Sequence, residues 1–258
     1  VTSIALRPRS GSEIVDVSVQ LLKANYATLV TITAVTWLPV VLFQLLYRAE
    51  LSDPAAAQLH FVITILTALL QGLALLVADG ASIIAVSDMY LGGRTGASAA
   101  LARVGPRLMS LIGANIMRNI LGALATLFLI IPGIYVLVRS FTLPVIVMLE
   151  GDDASEAWNR AWALGEDNVG QIFWPVAAAA VLYTVLGWAM LYYMTRLGIA
   201  VPILRTSGVV LVVGNLGSVI FHPIMSVVRT AVYYDLRVRK EGFDVEVMAN
   251  ELDAPAVS

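Results

Sequence analysis

Four stretches of this 258-residue chain, 24–47, 54–78, 168–195 and 206–228, contain no Asp, Glu, Lys or Arg. A hydrocarbon layer about 30 Å thick takes roughly 20 apolar residues in a helix to cross. Each stretch is long enough, so four spans follow directly. Composition agrees: 59% of residues are hydrophobic, 13% are charged, and mean hydropathy is +0.84. Soluble domains carry about 25% charge, and disordered chains carry more still. A net charge of −2 and a pI of about 5.7 leave no basic stripe to neutralise nucleic-acid phosphates. Zero cysteines exclude disulfides, thiolate metal sites and cysteine nucleophiles. His60 and His222 are the only histidines. The expectation is an all-α polytopic membrane protein without metal or cofactor, with His222 as the sole candidate haem or pigment ligand.

The region 108–149 needs a decision. Arg118 and Arg139 bracket 20 uncharged residues, which would make one span and strand ten apolar residues on either side. Two helices, 108–131 and 134–149, turned by Pro132-Gly133, avoid that, since this pair favours a turn. Six spans result, with both termini on one side. Ten basic residues then lie inside (Arg7, Arg9, Lys23, Arg94, Arg103, Arg107, Arg160, Arg237, Arg239, Lys240). Three lie outside (Arg48, Arg196, Arg205) and three in the membrane. By the positive-inside rule, both termini are cytoplasmic. Fourteen arginines against two lysines, with abundant Ala, Gly and Val, point to a GC-rich bacterial genome and so to a bacterial inner membrane. Residues 1–23 hold five charges and no apolar core, so they do not read as a cleavable signal.

Each pair of spans follows a short amphipathic segment. The first opens at Ser10-Gly-Ser-Glu13, a capping-box spacing. The second runs over 95–104, and the third opens at Asp152-Asp153 and carries Trp158 and Trp162 one turn apart. This reads either as a threefold repeat of surface helix plus hairpin (10–87, 95–149 and 152–235, then a tail 236–258) or as simple loop helices. Trp158, Trp162, Trp174, Tyr233 and Tyr234 are the expected anchors in the headgroup layer.

Several local patterns carry a family resemblance. They are Leu6-Arg-Pro-Arg-Ser10 before Glu13-Ile14, Ile131-Pro-Gly-Ile134, and Leu149-Glu-Gly151 with Ala157-Trp158-Asn-Arg160. The strongest is Tyr233-Tyr-Asp-Leu-Arg-Val-Arg-Lys-Glu-Gly-Phe-Asp244. Together they resemble bacterial membrane proteins of the glycerophosphoryl diester phosphodiesterase membrane-domain type, over nearly the whole chain. The resemblance implies a membrane helix bundle. It implies no catalysis, because in the full enzymes that chemistry belongs to a separate soluble barrel with its own metal-binding acids and histidines.

Charged or polar groups at bilayer depth suggest function by default. The candidates are Asp79, Asn115, Arg118, Arg139, Asn215, His222 and Arg229. Asn215, Ser218, His222, Ser226 and Arg229 share one helical face. Asp79 is expected about 12 Å from the cytoplasmic end of its helix, paired with Arg118 or Arg139, while Arg229 snorkels to the interface. Two readings stay open: a polar cavity for a solute or lipid headgroup, or interhelical ties that hold the bundle. No phosphate loop, metal spacing or nucleophile elbow is present. The leading functional expectation is a non-enzymatic accessory or structural subunit of a respiratory, photosynthetic or transport complex, in contact with membrane lipids and without nucleic acid. A small-molecule or lipid transporter, or a lipid-binding module, is the alternative. A transporter would show helices broken near Pro39, Pro144 or Pro223. The polar tail after Asp244 is expected to be held by a neighbouring subunit.

Overall fold

The computed structural model describes residues 6–47, 57–200 and 207–245. Its helices are α1 (Gly11–Leu46), α2 (Ala57–Tyr90), α3 (Ala97–Ala102), α4 (Leu108–Phe128) and α5 (Ile130–Arg139). Then follow α6 (Leu143–Leu149), α7 (Ala154–Leu164), α8 (Val169–Ala200), α9 (Ser207–Phe221) and α10 (Pro223–Glu241). No strand occurs among the described residues. Six helical stretches are long and apolar enough to cross a membrane. The chain is a polytopic membrane helix bundle.

Capping chemistry sets the helix starts. The Ser10 hydroxyl accepts from the Glu13 amide at 3.4 Å, and the Glu13 carboxylate accepts from the Ser10 amide at 2.8 Å. These bonds satisfy two amides that the helix leaves unpaired. The amphipathic segment does not separate from the span as expected. It runs into it through a kink at Asn25 (φ −124°, ψ 15°). Pro39, an expected break, sits inside the same helix without interrupting it.

Asp153 caps α7, accepting from the amides of Ser155 at 2.8 Å and Glu156 at 2.9 Å. The Glu156 amide, then the Ser155 hydroxyl and amide, hold its carboxyl below the ordinary aspartate range. Because the folded state favours the carboxylate, the cap is fully present above that range and is lost as pH falls beneath it. Carboxyl NMR should therefore place the Asp153 midpoint below that of a peptide aspartate, with fraying at Ser155 tracking it. An ordinary midpoint would mean that no cap forms.

α4 and α5 form the expected hairpin, with one correction. The turn is at Leu129 (φ −159°, ψ 146°), not at Pro132-Gly133. Pro132 lies in the first turn of α5, where a missing N–H leaves no bond unmade. Gly133 lets α4 approach, since a Cβ there would sit 2.8 Å from the Thr126 Cα. The tip, Leu127 to Ile131, is apolar and 67–81% exposed.

The protein core lies toward one end. In α2, residues 78–90 are buried apart from Asp88, whereas 58–73 mostly face outward. Residues 143–148 of α6 are buried, as is nearly all of α10 from 223 to 238. These three segments pack on one another and are wrapped by α1, α3, α4, α7 and α8. Each ends in an acid tied to the amphipathic segment that comes next around the ring. Asp88 takes Arg103 at 2.9 Å and the Thr95 hydroxyl. Glu150 takes Arg160 at 2.9 Å, and Asp235 takes the Arg9 amide at 2.7 Å.

One expectation about this end fails. Tyr233 and Tyr234 are not surface anchors; they are 1% and 3% exposed. Tyr234 stacks on Tyr90 with ring centroids 4.6 Å apart and shares a 2.7 Å hydrogen bond with Ser87, while the Tyr233 hydroxyl donates to Glu150 at 2.7 Å. Their hydroxyls are satisfied inside the protein, so the rings gain by burial. Trp174 is 68% exposed, and Trp158 and Trp162 stack half-buried on α7. The tail from 246 onward, and with it the expectation that a neighbour holds it, falls outside the described residues.

Candidate functional site

Asp79 lies 22 residues after the start of α2, about 33 Å at 1.5 Å per residue. That is a whole hydrocarbon thickness. Asp79 lies at the start of the buried part of α2, beside the protein core.

Its partner is Arg229, which corrects the expected pairing with Arg118 or Arg139. One carboxylate oxygen, Oδ1, accepts from the Ser226 hydroxyl at 2.6 Å, and the other accepts from the Arg229 guanidinium. Arg229 does not snorkel. It is 8% exposed, and its guanidinium carbon lies 4.9 Å from the centre of the Phe141 ring. Burial is tolerated because the charge is matched by a carboxylate and an aromatic face.

One helix break and one proline junction meet this pair. Residues 140–142 interrupt the descent from α5 into α6, and Pro144 follows in the first turn of α6. His222 keeps helical dihedrals (φ −53°, ψ −39°) between α9 and α10, with Pro223 at the first position of α10. In both places the proline lacks the amide that would continue the helix. Arg118 reaches the same region from α4, and both it and His222 feel the charges of Asp79 and Arg229.

Five buried side-chain polar atoms lack a hydrogen-bond partner among the described residues: Ser82 Oγ, Arg118 Nε, Thr142 Oγ1, His222 Nε2 and Arg229 Nε. Ser82 is one turn from Asp79, and Thr142 follows Phe141, so all five belong to this one locality. Folded proteins pair nearly all such atoms, and their concentration here marks a place built for something more. Ser82, Thr142 and Phe141 were not legible as site residues. Thr142 had a signal in its position two residues before Pro144, and Ser82 in its spacing of three from Asp79.

The remaining candidates lie elsewhere. Arg139 donates to the Trp162 carbonyl at 3.0 Å and to the Tyr135 hydroxyl at 2.7 Å, with its guanidinium 4.4 Å from the Trp162 ring centre. It fastens α7 to α5. Asn115 donates to the Leu111 carbonyl of its own helix at 3.2 Å. Asn215 links Trp37 at 2.6 Å and Gln44 at 2.7 Å, a tie between α9 and α1. No group of three or more His, Cys, Asp or Glu suited to a metal occurs among the described residues. An apolar groove of about 60 Å³ between α1, α8 and α10 is lined by Val15, Leu22, Ala179, Leu182 and Val228. It offers no polar chemistry.

No family model, curated protein or solved structure matches this chain.

Proposed function

We propose that this integral membrane protein is a non-catalytic lipid-binding module that seats a headgroup in the polar cluster around Asp79. One observation carries the reading. The buried, unpartnered side-chain polar atoms among the described residues lie on the segments that meet around Asp79 and Arg229. The break at 140–142 favours the same reading, since a discontinuous helix beside a charge pair is a recurring way to build ligand sites in membranes. An accessory-subunit role has weaker support. The exposed apolar side chains are spread along the outer parts of α1, α2, α4 and α8, where lipid covers them as well as a partner would. The resemblance to the phosphodiesterase membrane domains fits a lipid-facing role. The ten-to-three distribution of basic residues supports an orientation with the core end cytoplasmic.

Removing the orphan polar atoms tests this. Thr142→Val keeps side-chain shape and deletes an unpaired hydroxyl, so stability should rise by about 1 kcal/mol. The protein should nevertheless retain less phospholipid through detergent purification, as read by native mass spectrometry. His222→Leu should act in the same direction. Retention unchanged in both variants would sink the reading.

A further inference from the structure

The cluster does not balance its charge. It holds two guanidiniums, Arg118 and Arg229, against the single carboxylate of Asp79. Among these three groups one positive charge is left over. Both carboxylate oxygens are already engaged, one by Ser226 and one by Arg229. Arg118 makes no hydrogen bond or ion pair among the described residues, and its Nε is buried. An unmatched charge in such surroundings is costly. Donors are also in surplus. Arg118, the Nε of Arg229 and the hydroxyls of Ser82 and Thr142 point to acceptors that the protein does not supply.

We infer that the cluster takes one monoanionic oxyanion between Arg118 and Arg229, with Asp79 holding Arg229 until that group arrives. This rests on the headgroup-binding reading and names the chemistry of its ligand. A phosphodiester or a carboxylate carries the one negative charge that is missing. Its oxygens suit the planar fork of arginine, which engages such groups through two parallel hydrogen bonds. Ser82, Thr142 and His222 are placed to hold the remaining oxygens. On α4, Arg118 shares its face with the buried Ala114 and Gly122, so its side chain lies on the inward side of that helix. Free phosphate has the same chemistry, so the source must be separated by experiment.

The test uses the whole protein in maltoside micelles, which contain no oxyanion. Adding phosphatidylglycerol to near saturation should raise the melting temperature by about 5 °C or more, and diacylglycerol should not. A shift with inorganic phosphate alone would support the oxyanion and assign it to a soluble source. Arg118→Gln should abolish the shift while leaving the unliganded protein at least as stable, because an unpartnered buried charge has gone. Asp79→Asn should enlarge the shift, because it removes the competing carboxylate. A purely structural cluster would give no shift with either probe. That result, or a full shift in Arg118→Gln, overturns the inference. If phospholipid is retained but phosphatidylglycerol does no better than diacylglycerol, the headgroup reading stands and the oxyanion fails. If no lipid is retained and phosphate still shifts the melting point, the reverse holds.

Discussion

Asp79→Asn is expected to lower the stability of the unliganded protein by about 3–5 kcal/mol, the usual consequence of stranding one member of a buried ion pair. Both side chains of the pair are only 10% exposed, so water screens little of the loss. Arg229 would keep its charge and lose its counter-ion, while the Ser226 hydroxyl would lose a charged acceptor. Replacing Arg229 with Met in the same protein should recover much of the loss, since no unpaired charge is then left buried. A double-mutant cycle by thermal unfolding should give a coupling above about 1 kcal/mol for Asp79 with Arg229 and close to zero with Arg139. Coupling to Arg139 instead would show that α5, not α10, supplies the counter-ion.

The second large effect is steric. Gly133→Ala places a methyl group against the Thr126 hydroxyl and 2.8 Å from the Thr126 Cα, and the latter is backbone, which cannot rotate away. α4 and α5 would have to separate, at a cost of about 1–3 kcal/mol. Gly72 in α2 is the control, because a methyl group added there would meet nothing within 4 Å. At that position alanine should be neutral, or stabilising by up to about 1 kcal/mol through helix propensity. Equal melting temperatures for the two variants would show that the hairpin is not closely packed at Gly133.

Much of the architecture was legible because long uncharged runs have one cheap solution in a bilayer. The six spans, the α4–α5 hairpin and the Ser10 and Asp153 starts all follow from charge spacing and cap chemistry. Depth was harder to read. Hydropathy does not show that the last eleven residues of α2 are sheathed by protein. Pairing was harder still. Asp79 and Arg229 are 150 residues apart, and single-helix periodicity cannot choose among arginines on other helices. The same blindness applied to Tyr233 and Tyr234. An aromatic pair beside charges reads as an interfacial belt until Glu150 and Ser87 appear as buried partners for the two hydroxyls. The stripe through His222, Ser226 and Arg229 was visible, because Pro223 does not turn the chain out of its helical path there.

The three acid ties also set an order of assembly during synthesis. Asp88 and Arg103 are 15 residues apart, and Glu150 and Arg160 are 10 apart. Both can close soon after they are made, because short loops cost little entropy to join. The third tie spans 226 residues, from the Arg9 amide to Asp235, and Arg239 reinforces it by donating to the Arg9 carbonyl. The backbone at Arg9 must therefore wait for α10 before either of its polar groups finds its partner there. The Arg9 side chain can dock earlier, because it donates to the Tyr90 hydroxyl of α2. The segment before α1 is thus positioned in two steps, side chain first and backbone after α10 packs.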